Sequence, residues 1–270
     1  MEADADGVYE RIRLLVRRRR GTDLGCYRRT YVQRRLLART RARGAPDMAA
    51  YAGILASEPE EVATLLQALS TKVTSFFRNP GLFTHLERRV FPDLLDSPAG
   101  RTVRIWSAAC ATGEETYSLA AIAALHSPPP PEGRIRVLGT DVDREAIEVA
   151  RRGVYPMASM RTVPPDIQRR WFVALPEAGL CRVADSLAAF ARFRVESLVA
   201  RPHAGAYDLI LCRNVLIYFE PWLQQKVLVQ LAHALRPGGY LALGRVERVA
   251  GPGKAFFEAV NLKERIYRRV

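Results

Sequence analysis

The chain has 270 residues, 49% of them apolar, and a formal net charge of +13 at neutral pH, which gives room for one large α/β domain and a small companion. No apolar run reaches the ~20 residues a membrane span needs and the acidic start does not read as a signal peptide, which excludes membrane insertion and predicts a cytoplasmic protein. Cys26, Cys110, Cys181 and Cys212 are scattered without metal-type spacing, so reduced thiols and no metal site are expected. The charge is local. Residues 10–43 hold thirteen arginines against Glu10 and Asp23, a balance of +11 that leaves +2 for all other residues. Such a patch points to an acidic partner for the N-terminal segment.

Val8, Ile12 and Leu15 recur at helical spacing, so residues 7–19 read as an amphipathic helix that Gly21 and Gly25 end. A second helix is expected from about Tyr27 to Arg43, stopped by Gly44 and Pro46. On it Arg28, Arg35 and Arg39 share one stripe, bordered by Val32 and Leu36. Two shorter helices should follow near Met48–Leu55 and Pro59–Leu69. Residues 1–69 thus form a small all-α domain, too polar to bury much alone. Residues 70–80, with Phe76 and Phe77 beside Thr74 and Arg78, break the pattern and read as a linker pinned against the larger domain.

Residues 103–118 organise that larger domain, 81–270. Val103–Trp106 is a buried strand, Ser107–Thr112 are small, and Gly113 sits where a loop must turn into a helix. This strand–turn–helix opens a doubly wound nucleotide fold, in which ligands dock beyond the carboxyl ends of the strands. Only one glycine is present, so it is not the dinucleotide fingerprint. Glu114 and Glu115 at the helix start are hostile to a pyrophosphate and suit a cationic, hydroxyl-rich ligand such as S-adenosylmethionine.

Ile135–Gly139 is the second strand, ending in Asp141, about thirty residues after the turn. A carboxylate there commonly takes the two hydroxyls of an adenosine ribose. Asp143 is the better cap for a helix Arg144–Arg151. About 155–190 reads as a small antiparallel insertion, with a hairpin of Trp171–Ala174 and Leu180–Ala184. Phe193–Val195 resumes the parallel sheet, followed by Ser197 and Leu198. Tyr207–Asn214 is the fourth strand, with Arg213 and Asn214 at the ligand edge and Tyr218 just beyond. A helix Trp222–Leu235, a turn Arg236–Gly239, a strand Tyr240–Leu243 and a closing antiparallel strand Glu264–Arg269 complete the domain.

Five stretches then carry a resemblance: Thr74-Ser75-Phe76-Phe77-Arg78, Ala111-Thr112-Gly113-Glu114-Glu115-Thr116-Tyr117-Ser118, Thr140-Asp141-Val142-Asp143, Cys212-Arg213-Asn214-Val215-Leu216-Ile217-Tyr218-Phe219, and Leu235-Arg236-Pro237-Gly238-Gly239. In that order and spacing the chain resembles the chemotaxis receptor methyltransferases, the CheR family, over nearly its whole length. The resemblance implies a Rossmann-like, S-adenosylmethionine-dependent methyltransferase domain with a β-subdomain, behind a helical N-terminal domain. It implies methyl transfer to glutamate side chains of chemoreceptors, giving glutamate methyl esters and S-adenosylhomocysteine.

Thr74, Arg78, Glu115, Asp141, Leu198 and Asn214 match the family's cofactor contacts, with Lys72, Ser197 and Arg213 at the same edge. Arg78 and Tyr218 match the two residues credited with roles near the transferred methyl. The stripe Arg28, Arg35, Arg39 matches the surface that meets the receptor's acidic cytoplasmic helical bundle. Lys72 stands where the family usually has Asn, Ser197 where Asn often precedes Leu, and Gly244-Arg245-Val246-Glu247 replaces Gly-His-Ser-Glu.

A glutamate carboxylate is already ionised at neutral pH, its reference pKa being about 4.3, so no general base is required. Positioning by Arg78 and Tyr218 would suffice. A nucleic-acid enzyme is disfavoured because Cys-Arg-Asn-Val replaces the Asp/Asn-Pro-Pro-aromatic motif, and no Pro-Cys nucleophile is present. The rival reading is a non-catalytic cofactor-binding adaptor of a chemotaxis-like pathway. The protein is expected to be a monomer that binds no nucleic acid.

Overall fold

A computed structural model describes residues 2–69, 73–96, 101–129, 132–177, 179–199 and 207–270. They fall into two compact units, Met1–Thr71 with Tyr218–Gln224, and Lys72–Ile217 with Gln225–Val270.

The smaller unit contains α1 (Glu2–Arg20), α2 (Arg29–Ala42), α3 (Met48–Ser57) and α4 (Pro59–Leu69). Asp47 caps α3 by accepting the Ala50 N–H at 2.7 Å, satisfying one orphan donor of the first turn. Despite its polar composition this unit has a closed core, in which Ile12, Val16, Leu24, Val32, Leu36, Tyr51, Leu55, Val62 and Leu65 are fully buried. The expectation that it buries little is corrected by this core. Its apolar residues converge on one interior, with most of the arginines outside it. Tyr218–Gln224 belongs here through main-chain pairing: the Arg28 N–H donates to the Tyr218 carbonyl at 2.8 Å, and the Glu220 N–H to that of Cys26 at 3.0 Å.

The larger unit is built on a seven-stranded sheet. Its strands are β1 (Val103–Ala108), β2 (Ile135–Asp141), β6 (Ala191–Val195), β7 (Tyr207–Cys212), β8 (Leu235–Leu243), β9 (Phe257–Asn261) and β10 (Ile266–Arg269), in the order β6-β2-β1-β7-β8-β10-β9. The β6-to-β8 pairs are parallel, and β10 is antiparallel to both neighbours. The central strand β7 reads as an apolar run, as a parallel strand buried on both faces does. Every residue of β7 is buried. The helices are α5 (Pro80–His85), α6 (Phe91–Leu95), α7 (Glu114–His126), α8 (Arg144–Arg152), α9 (Pro165–Trp171), α10 (Asp185–Ala188) and α11 (Pro221–Ala234). No described helix is long and apolar enough to cross a membrane.

A second sheet, β3 (Val154–Pro156), β5 (Leu180–Val183) and β4 (Phe172–Ala174), is the antiparallel insertion.

Three details differ from the sequence reading. Trp171 closes α9 and is buried rather than opening a strand. Arg236–Gly239 is a bulge inside β8, where the β7 register jumps from Tyr207↔Leu235 to Leu209↔Tyr240 and Gly238 takes φ 77°. Strand β9 is additional; as an edge strand with only Phe257 buried it shows no alternation to read.

Of the linker, residues 73–80 are described and pack within the larger unit. Phe76 makes edge-to-face contacts with Tyr155 and Phe172 at 5.0 and 5.1 Å, and Phe77 with Phe83 at 5.2 Å. The Phe77 N–H donates to Ser118 Oγ at 2.9 Å, and Thr162 Oγ1 donates to the Phe76 carbonyl.

Candidate active site at the carboxyl edge of the sheet

The edge is assembled from the residues that follow β1, β2, β6, β7 and β8. After β1 the chain makes a tight turn in which Ala109 and Ala111 adopt φ 60° and 49° and Gly113 φ 96°. A Cβ on Gly113 would lie 2.7 Å from that of Ala150, so only glycine allows α7 to pack so closely. The Tyr155 hydroxyl fastens the turn from the insertion, donating to the Thr112 carbonyl at 2.7 Å.

Asp141 ends β2. Its Oδ2 accepts the Ala111 N–H and its Oδ1 the Asp143 N–H, each at 2.9 Å. Burial raises its carboxyl above the ordinary value, and these N–H groups pull the other way. Each oxygen retains acceptor capacity, so the carboxylate is fixed and still able to take two ligand hydroxyls. Asp143 caps α8 through the Ala146 N–H at 3.0 Å, as its spacing predicts. The Glu196 N–H donates to the Asp141 carbonyl at 2.9 Å, which brings the half-buried Ser197 and Leu198 to this end of β2.

Glu115 enters from the first turn of α7. Ser107 Oγ donates to its Oε1 at 2.8 Å and Arg213 Nη1 to its Oε2 at 2.9 Å. The Arg213 side chain is only 2% exposed. Its Nη2 donates to the Arg78 carbonyl at 2.9 Å and to Asn79 Oδ1 at 2.6 Å. Arg213 was expected among the cofactor contacts, and its side chain is instead engaged by these internal partners. Its guanidinium is an internal strut that ties the linker to the ends of β1 and β7. A residue just past an apolar strand can point inward as readily as outward, and periodicity does not say which.

Through that strut Arg78 reaches the edge, with its own guanidinium donating to the Val73 carbonyl at 2.9 Å. Thr74 is half-buried in the same segment. Lys72 lies outside the described residues. Asn214 follows β7 in a left-handed conformation, φ 59°. Glu247, part of the Gly244-Arg245-Val246-Glu247 motif, is 4% exposed and lies against this turn.

The remaining predicted residues lie in the smaller unit. Tyr218 packs on Tyr31, with centroids 4.6 Å apart. Of the expected basic stripe, Arg28 is exposed and Arg35 lies over the Tyr31 ring at 5.4 Å. Arg39 is drawn inward. Its Nε and Nη2 clasp both oxygens of Glu61 at 2.9 and 2.8 Å, and Arg43 Nη1 and the Tyr51 hydroxyl reach the same carboxylate at 2.8 Å. The stripe is therefore corrected at Arg39. The exposed arginines of α2 are Arg29, which pairs with Asp6, and Arg34 and Arg41, seven residues apart with the exposed Leu37 between them.

A mostly parallel sheet with this order, a turn of small residues after its first strand and a fixed acid after its second define the class of Rossmann-like methyltransferases, and the acceptor capacity left on Asp141 and Glu115 suits a ligand that carries hydroxyls and a positive charge. The description "CheR methyltransferase, SAM binding domain" matches residues 72–266, and "CheR methyltransferase, all-alpha domain" matches residues 8–70. The chain is 35% identical over 253 residues to the chemotaxis protein methyltransferase of Escherichia coli (strain K12), covering 90% of this chain and 85% of that protein. It is 34% identical over 260 residues to the Salmonella typhimurium protein of the same name, covering 93% and 87%. It is also 34% identical over 250 residues to chemotaxis protein methyltransferase 2 of Pseudomonas aeruginosa, covering 88% and 85%. The chain belongs to the CheR methyltransferase family and is an S-adenosylmethionine-dependent methyltransferase of chemotaxis.

Proposed function

We propose that the protein esterifies glutamate side chains on the cytoplasmic helical bundle of chemoreceptors. The observation that carries this reading is the arginine of the linker, Arg78, held at the sheet's carboxyl edge by the Arg213–Glu115 strut. Bound S-adenosylmethionine would supply an electrophilic methyl on a sulfonium. Asp141 would hold the ribose hydroxyls, Glu115 would accept from the polar end of the same molecule, and Ser197, Leu198 and Asn214 would flank it. Arg78 suits an acceptor that is already an anion, because its paired N–H groups can aim a carboxylate. Such a nucleophile needs no base, only aim and exclusion of water. Tyr218 is proposed, from the family resemblance, to contribute to transfer.

The partner is proposed to be acidic and helical, met by the exposed Arg28, Arg34 and Arg41. Exposed pairs are worth about 0.2–1 kcal/mol each, so several together hold a transient complex. The hairpin between β4 and β5 is short, with the Leu175 N–H bonded to the Leu180 carbonyl at 3.0 Å, which favours recognition without a receptor tail peptide.

The test is transfer of radiolabelled methyl to receptor-containing membranes, followed by mild alkali. Label released as volatile methanol is expected, and Arg78→Ala should abolish it while leaving the melting curve unchanged. Alkali-stable label would refute a carboxyl acceptor, and no transfer by the wild type to any receptor would favour the adaptor reading.

A further inference from the structure

The turn beyond β7 carries Asn214 and leads into Tyr218, yet no sheet ladder holds it. Four main-chain N–H groups there, joined by that of Gly244 after β8, converge on one buried carboxylate. Glu247 Oε2 accepts from Asn214 N at 2.8 Å and Gly244 N at 2.7 Å. Its Oε1 accepts from Leu216 N at 2.8 Å, Val215 N at 3.0 Å and Ile217 N at 3.4 Å. Successive N–H groups turned to one side form a concavity that takes an anion, and here the anion is part of the chain. The fit is close: a Cβ on Gly244 would lie 2.5 Å from Glu247 Oε2 and 2.9 Å from Asn214 N.

We infer that Glu247 is a positioning residue for methyl transfer, an internal anion that fixes the Asn214–Ile217 turn in its left-handed entry. The turn is then gripped from both sides. The cationic Arg213, immediately before it, is tied to Glu115 and the linker, and the anionic Glu247 gathers the N–H groups that follow. Most buried carboxylates meet an arginine or lysine. No charge-bearing partner of Glu247 is recorded among the described residues, and main-chain dipoles replace it. A structural acid needed only for packing would not have to collect the donors of four successive residues. The loss of this grip would let Asn214 leave its place at the edge without disturbing β7 itself, whose residues stay in the ladder.

The inference rests on the reading of this edge as the methyl-transfer site, and the experiment separates the two. Amide hydrogen exchange on the wild type should protect Val215, Leu216 and Ile217 nearly as well as Leu209 and Leu211 in β7; fast exchange at the turn would overturn the inference outright. Glu247→Gln keeps the shape but turns one acceptor into a donor facing N–H groups. In that variant exchange at 214–217 should quicken by roughly tenfold or more, the factor of one charge-assisted hydrogen bond, with β7 unchanged. Turnover should fall by a similar factor with the receptor KM unaltered, and Glu247→Asp should recover part of both. Faster exchange throughout the sheet would mark the residue as merely structural, and faster exchange with normal turnover would refute the positioning role. Both results leave the carboxyl-transfer reading standing, since that is decided on the wild type.

Discussion

Replacing Asp141 tests the geometry of the edge most directly, because this carboxylate has two separable duties. In the protein alone it accepts the Ala111 and Asp143 N–H groups, each at 2.9 Å. Towards a ligand it offers the remaining lone pairs to two ribose hydroxyls. Asp141→Asn preserves the volume, but its NH2 must face one of the two N–H donors. Leaving that buried donor unmatched costs about 1–3 kcal/mol, a fall in melting temperature of roughly 2–12 °C at ~2–4 °C per kcal/mol. The lost hydroxyl contact is charge-assisted and worth about 1.5–3 kcal/mol, so the Kd for S-adenosylhomocysteine should rise roughly 10- to 150-fold.

Acidity adds a second signature. Burial raises the folded carboxyl above its ordinary value, and the ionised form is the one that accepts hydroxyls. Wild-type affinity should therefore decline as pH falls through the raised value, and Asp141→Asn should lack that decline. Calorimetry at several pH values reads affinity, and thermal scans read stability. A lowered melting temperature with unchanged affinity would leave Asp141 a turn-builder only, and no change in either would refute the geometry.

Two further outcomes concern the helical unit. Glu61→Gln should lower its stability by about 1–3 kcal/mol, below the ~3–5 of a fully sequestered pair, because the Arg39 and Arg43 side chains are 21% and 30% exposed and can hydrate. Burial opposes ionisation of Glu61, but the hydrogen bonds of Arg43, Arg39 and Tyr51 hold its pKa below the usual value. Its contribution is present above the unfolded value of about 4.3 and is lost as pH falls through the depressed one. An acid-side melting series in which wild type and Glu61→Gln run parallel would contradict this. The double variant Arg34→Gln, Arg41→Gln should slow receptor methylation several-fold at low salt, with little effect once the screening length is near 8 Å. Arg39→Gln should instead lower the melting temperature, and the reverse pattern would restore the stripe expected from sequence.

The course of the chain was largely legible before any coordinates. Helix periodicity in residues 7–69, the apolar runs of β1, β2 and β7, and Gly113 and Asp141 at strand ends are local signals, each imposed by a residue's own backbone or its spacing from near neighbours. What was not legible depends on partners far along the chain. Arg39 has the spacing of an exposed stripe, and only the approach of Glu61 on α4 turns it inward. Arg213 reads as an edge contact until α7 brings Glu115 and the linker brings Asn79 within reach of its guanidinium. Glu247 looks like an ordinary loop acid because its five donors are main-chain N–H groups, which every residue but proline possesses and no sequence distinguishes. Strand β9 shows one buried residue and no alternation, since an edge strand is specified by the neighbour it pairs with. Sequence records which side chains are available. Their direction is set by the charges and dipoles that folding brings near them, since a buried ion adopts whichever orientation keeps it paired.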